Sequence, residues 1–292
     1  MLPNGKPNSF RVPRSRVYET HQALKAEILD AIESVLFGSS RAGYTVRHKL
    51  ENAFAKMVGK RFACAVHSGT IGLFLALRAC RIEPGDEVIT VANSDISTTS
   101  AILQCGATPI LCEVQEHDFT IDVTQVERLI TSRTRAILPV DLYGHPANVR
   151  QLRRLADQHQ LFIVEDAALA TGALDYGQPV GAFADATVFS FAPFKPLGSS
   201  GNGAMLVTDD EDLWQRLQLL AEYGHAPASQ GVPPGHQHYL AEGYNVPLDP
   251  LQAALVHTKL HYLPQWTEQR RTIADIYARG LQGSPAMVPT FR

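Results

Sequence analysis

Lys195 stands among aromatic and apolar neighbours in Val188-Phe189-Ser190-Phe191-Ala192-Pro193-Phe194-Lys195-Pro196-Leu197-Gly198-Ser199-Ser200-Gly201-Asn202-Gly203. An apolar run ends at Ser190, the lysine follows five residues on, and a glycine-serine turn leads into a second apolar run, Ala204 to Val207. An amine held out of water gives up its proton near neutral pH and then attacks a carbonyl to form a Schiff base. A pyridoxal phosphate site needs such an amine beside a phosphate cradle and an acid for the ring nitrogen. A solvated lysine after a strand would use the same residues, so the chemistry depends on what the rest of the chain supplies.

Two further segments offer the missing parts. His67-Ser68-Gly69-Thr70 follows a short apolar strand and opens a helix. The backbone N–H groups of Gly69 and Thr70, with the hydroxyl of Ser68 or Thr70, can hold a phosphate at the positive helix end, although a helix cap alone needs the same tetrapeptide. Glu165-Asp166 closes the strand Leu161 to Val164. Two acids after a buried strand are costly without partners; a carboxylate there keeps a pyridine nitrogen protonated, or else caps a turn. Asp166 comes 29 residues before Lys195 with a single strand pair between them, so both reach one crevice. The histidines are a rival centre: His67 beside the proposed phosphate turn, and His225, His236 and His238 in a polar loop. Their spacing matches no metal motif, and no metal is expected.

These groups need a frame. Strand, turn and helix recur: Arg61 to Val66 then Gly69 to Cys80; Glu87 to Val91 then Asp95 to Gln104; Pro109 to Val114 then Val123 to Thr131; Arg135 to Val140 then Val149 to His159; then Leu161 to Val164. Ala186 to Phe191 and Ala204 to Thr208 add two strands. Fully apolar runs separated by helices predict an α/β fold with a mainly parallel central sheet covered on both faces, where ligands lie outside the carboxyl ends of the strands. Helices are also predicted over Ala23 to Leu36, Arg47 to Val58, Glu211 to Glu222, Pro250 to His261 and Trp266 to Leu281, with a loop from Phe37 to Thr45. With 292 residues, 45% apolar, the chain buries a large core, and a formal charge of −3 without a basic cluster gives no footprint for nucleic acid. No apolar stretch suits a bilayer or a signal peptide, which makes the cytoplasm the expected location. Cys64, Cys80, Cys105 and Cys112 suggest neither zinc nor disulfides.

From about Gly59 to Leu281 the segments VGKRFACAVHSGTIGLFLAL, GDEVITV, GATPILCEV, ILPVDLYGHPANV, IVEDAALATGA, FSFAPFKPLGSSGNGAMLVTDD, GYNVPLDPLQAALVHTKL and RRTIADIYARGL occur in order. Together they resemble the DegT/DnrJ/StrS-type aminotransferases, fold type I pyridoxal phosphate enzymes that mostly aminate keto sugars. The resemblance implies that Lys195 is the Schiff-base lysine and Asp166 the partner of the ring nitrogen. Gly69, Thr70 and Ser190, with Ser68 beside them, would take the phosphate. Asn245 would reach the phosphate of a neighbouring subunit, since such sites are built across a homodimer. Departures are visible. Asp95 stands where the family has a ring stacked on the cofactor, Leu169 where it has a glutamine, and Ala192 where it often has a histidine. Asn202 replaces the acid of a glycine-rich turn, and Pro247 an arginine.

Residues 1–20 are polar and proline-bearing and are expected to form an arm; by the resemblance 21–262 form the cofactor-binding domain and 263–292 a helix leading into a C-terminal domain that is largely missing. The reaction implied is transfer of an amino group from glutamate or glutamine to a keto sugar, cyclitol or related carbonyl compound. The altered contacts at Asp95, Leu169 and Ala192 keep open elimination, dehydration or cyclisation on the same cofactor, as well as a non-catalytic role as a partner subunit.

Overall fold

The seven apolar runs form one seven-stranded sheet, seen in a computed structural model that describes residues 17–225, 238–286 and 288. In chain order, helices α1 (Val17–Ala23), α2 (Lys25–Leu36) and α3 (Ala42–Val58) precede β1 (Phe62–Val66). Then come α4 (Gly69–Ala79), β2 (Glu87–Val91), α5 (Ile96–Gln104), β3 (Thr108–Cys112), α6 (Val123–Val126), β4 (Thr134–Ile137), α7 (Val149–His159) and β5 (Phe162–Asp166). A small hairpin of β6 (Leu174–Asp175) and β7 (Gln178–Pro179) leads to β8 (Ala186–Ser190) and β9 (Ala204–Thr208). Helices α8 (Glu211–Ala221), α9 (Pro250–Leu260) and α10 (Leu263–Gly280) follow.

The sheet order is β1-β9-β8-β5-β4-β2-β3. β9 runs antiparallel to both β1 and β8, and the remaining neighbours are parallel, so six strands point one way. The reason for the single reversal lies in the 191–203 connection, which carries no helix to cross the sheet. Consequently the carboxyl ends of β1, β2, β5 and β8 share one edge, and the residues that follow them meet there.

Residues alternate between the sheet's two faces as a period of two requires. Val188, Leu206 and Cys64 join the cluster under α4, whereas Phe189, Met205, Val207 and Ala65 join the one under α3 and α9. In the second cluster Phe54 meets Phe189 and Phe191 edge to face, with ring centroids 5.1 and 5.6 Å apart. On the first face, α4 approaches β8 so closely that a Cβ on Gly72 would lie 2.8 Å from Val188 Cγ1. Gly72→Ala is therefore expected to cost about 1–3 kcal/mol of stability in a urea titration, from overpacking.

Several boundaries differ from the sequence-based expectation. α3 begins at Ala42, inside the predicted loop, because Gly43 allows close packing on the Pro250 ring: an added Cβ would stand 2.9 Å from Pro250 Cγ. The helix predicted over Val123 to Thr131 ends early, at Val126, and tightens into a 3₁₀ turn over Glu127–Leu129. Residues 17–20 belong to α1, within the segment expected as an arm, whereas residues 1–16 and His236 lie outside the described residues. No helix among the described residues is long and apolar enough to cross a membrane.

Candidate active site

At the end of β1 the chain turns through Ser68 into α4. Ser68 takes an extended conformation and its hydroxyl accepts the N–H of Ile71 at 3.3 Å, capping the helix. The N–H groups of Gly69 and Thr70, in the first turn, have no carbonyl of the helix to bond. Ser190, the last residue of β8, lies directly beside them: a Cβ on Gly69 would stand 3.3 Å from Ser190 Cβ and 3.4 Å from its Oγ. Here a glycine matters, because any side chain would close the gap between the helix end and the serine. The result is a cradle of backbone donors and hydroxyls at a positive helix end, suited to an anion.

Asp166 ends β5, 4% exposed. Its Oδ2 accepts from Thr98 Oγ1 at 2.9 Å and its Oδ1 from the N–H of Ala168 at 3.2 Å. Thr98 is held in turn by Ser94, with the hydroxyls 2.7 Å apart. Burial pushes the Asp166 carboxyl above the ordinary range, opposed by the Thr98 and Ala168 hydrogen bonds and by the charge of Lys195. Both direct donors are neutral. A buried carboxylate held only by neutral donors is costly, and a cationic N–H in front of it would relieve that cost.

Lys195 sits half-buried in the loop after β8, with its N–H bonded to the carbonyl of Ala192 at 2.9 Å. Among the described residues no group hydrogen-bonds to its Nζ, while both Asp166 and Asp95 feel its charge. The loop is closed at its base by Ser199, whose N–H and hydroxyl both reach the Phe191 carbonyl at 2.7 Å. Asp95 follows β2 and caps α5, accepting from the N–H of Ser97 at 3.0 Å and from its hydroxyl at 2.7 Å. Those hydrogen bonds, the Ser97 hydroxyl first, hold its carboxyl below the usual value, and the charge of Lys195 adds to them.

The edge of the sheet thus assembles Ser68, Gly69, Thr70, Ser190, Asp95, Asp166 and Lys195. Asn245 takes a different place. It is exposed, bridges to Glu222 and lines an open cavity of about 790 Å³ with Tyr44, Arg47, His67 and Asn202, but without Lys195 or Asp166. Leu169 and Pro196 line another cavity, of about 440 Å³, against α10. Sequence reasoning misses Thr98 and Ser94, which orient the buried acid. Their signal is slight: hydroxyls on both sides of a helix cap read as capping residues. It misses Asp141 too, which is buried next to Glu165, itself raised by burial to about 7. Of the rival histidines, His67 is exposed, and no group of three potential ligands able to hold a metal occurs among the described residues.

Comparison with known proteins identifies the family. Residues 22–291 match the DegT/DnrJ/EryC1/StrS aminotransferase family. A dTDP-3-amino-3,4,6-trideoxy-alpha-D-glucose transaminase of Streptomyces venezuelae is 42% identical over 282 residues, which is 95% of this chain and 71% of that protein. A UDP-N-acetyl-3-dehydro-alpha-D-glucosamine 3-aminotransferase of Acidithiobacillus ferrooxidans is 38% identical over 91% of this chain and 70% of its own length. Among solved structures, S. venezuelae DesV in complex with a ketimine intermediate superposes with a TM-score of 0.87 at 38% identity, covering 96% of this chain and 74% of that one. NtdA of Bacillus subtilis with its cofactor PMP bound gives 0.83 at 30% identity, over 94% of this chain and 62% of that one. A match along nearly the whole chain, in sequence and in fold, shows that it belongs to the DegT/DnrJ/EryC1/StrS aminotransferase family and is a pyridoxal phosphate-dependent enzyme.

Proposed function

We propose that the chain moves an amino group from glutamate or glutamine to the carbonyl of a keto sugar, cyclitol or related small compound, with Lys195 as the reacting amine. The observation that carries this reading is the convergence of Lys195, the buried Asp166 and the cradle of Gly69 and Ser190 on one sheet edge. The names of the relatives, which act on nucleotide-linked sugars, support the acceptor class.

Pyridoxal phosphate, when bound, supplies a carbonyl for the lysine and a ring that withdraws electrons from the carbon beside the substrate's amine. The residues present fit it. Gly69, Thr70, Ser68 and Ser190 would take its phosphate, and Asp166 would keep the ring nitrogen protonated, in turn gaining the cationic donor that its burial calls for. Thr98 and Ala168 fix the carboxylate's orientation from behind. Lys195 would join the cofactor's carbonyl and, as general base and acid, would take and return the proton of the substrate carbon. Asn245, with His67 and Arg47 beside the same open cavity, would serve the site of a second copy of this chain, so the working unit is a homodimer.

Asp95 is the sharpest departure from the family pattern. Asp95→Tyr is expected to bind the cofactor about twofold to thirteenfold more tightly, from about 0.5–1.5 kcal/mol of ring stacking, while losing about 1 kcal/mol of stability with the α5 cap. Cofactor titration by fluorescence and urea unfolding measure the two effects; unchanged affinity would place residue 95 away from the ring.

The test of the reaction is addition of L-glutamate, without acceptor, to protein loaded with pyridoxal phosphate. Loss of the visible band with release of 2-oxoglutarate is the expected result. Should no donor yield a keto acid while the substrate loses water or closes a ring, elimination or cyclisation replaces transfer, a reading that Asp95 and Leu169 favour.

A further inference from the structure

Lys259, on α9, is the other lysine whose surroundings need an account. It is 3% exposed and has no carboxylate partner among the described residues; its Nζ donates to the carbonyl of Gly198 and lies 3.3 Å from His21 Nε2 on α1. Burial pushes its pKa down to about 8, and burial followed by the Lys259 charge lowers that of His21. A lysine kept out of water at such a cost, and aimed at a single backbone carbonyl, is informative because of where that carbonyl lies. Gly198 is three residues past Lys195 and one before Ser199, which closes the same loop on Phe191. The loop is tight at this point: a Cβ on Gly198 would lie 2.4 Å from the carbonyl oxygen of Pro193.

We propose that Lys259 is a positioning residue for Lys195: by holding the Gly198 carbonyl it fixes the far side of the loop that aims the reacting amine, and through His21 it ties that loop to α1. Ser199 anchors the loop to the end of β8, and Lys259 anchors it to the helical layer. Without the second anchor the segment from Ala192 to Gly198 pivots about Ser199, and the direction of Lys195 is no longer set. The consequence for cofactor binding rests on Lys195 being the cofactor lysine, but the positioning itself does not.

Amide hydrogen exchange in the cofactor-free protein therefore tests it directly, comparing wild type with Lys259→Met. The methionine keeps an apolar stem and removes the donor. Exchange at the amides of Lys195 and Ser199 is expected to rise about tenfold or more, the value of one hydrogen bond from a charged donor, while β8 and β9 stay protected. In the loaded protein, cofactor release should quicken with the KM for the amino donor unchanged. Unchanged exchange over 192–200, or a uniform rise throughout the protein, would overturn the proposal. Should the methionine variant fail to fold, the comparison is made on Lys259→Gln, whose amide donor is one bond shorter. The same local rise is expected there, and its absence is equally decisive. Faster exchange in this loop without faster cofactor release would keep the positioning role and count against Lys195 as the cofactor lysine.

Discussion

Lys195→Ala is expected to reduce turnover by at least about 10⁴-fold, because in the proposed function the variant loses both the amine that joins the cofactor and the group that moves the proton. The fold should survive the change. Lys195 is half-buried, its Nζ is not hydrogen-bonded to any described residue, and the loop around it is held by backbone and Ser199 contacts that alanine leaves in place. Circular dichroism and thermal unfolding of the cofactor-free protein should match wild type, while the visible band after loading is absent. Full activity in this variant would remove Lys195 from the chemistry. Activity lost together with the fold would show that the lysine carries structure instead.

Asp166→Asn gives the second large effect, and its two consequences have opposite signs. The amide keeps the size and shape of the carboxylate but could not hold a proton on the ring nitrogen, the role proposed for Asp166. A drop of about 10²–10³ in kcat/KM is expected, the scale of losing one preorganised electrostatic contact. The cofactor-free protein, in contrast, should become more stable at neutral pH. Burial raises the carboxyl of Asp166, and that of Glu165 to about 7. Between the ordinary carboxylate value and these raised ones the folded state binds more protons than the unfolded state, so stability falls as pH rises through that window. The amide introduced by the substitution takes no part in that titration, and the fall measured by urea unfolding as pH rises above the ordinary carboxylate value should be shallower in the variant. An equal slope in both proteins would mean that Asp166 is solvated or paired with a cation.

The frame and the core of the site are readable because both depend on short-range signals. Strands such as FACAV, EVITV and AMLVT are mostly apolar and are buried on both faces, as a sheet covered on both sides permits, and Ser68, Asp166 and Ser190 stand at or just beyond the ends of such runs. Once the strands run parallel, their ends meet without further information. What escapes the sequence depends on contacts between segments far apart in the chain. Thr98 reaches Asp166 across 68 residues, and its type and position on α5 suit an ordinary helix cap. Lys259 contacts Gly198, 61 residues earlier, and in sequence resembles any basic residue near a helix end. Gly43 misleads in the other direction: its low helix propensity marks a loop, yet close approach to Pro250 decides the local structure. Asn245 is exposed in a cavity with His67 rather than Lys195, a placement that the proposed role toward a second copy of the chain would use.

The central claim is that Lys195 is the amine that carries the cofactor. Borohydride reduction of the protein loaded with pyridoxal phosphate, followed by peptide mapping, tests it most directly. The label is expected on the peptide containing Lys195 alone. Label on Lys259, the other desolvated lysine, or on Lys60, or recovery of no labelled peptide, would contradict the account.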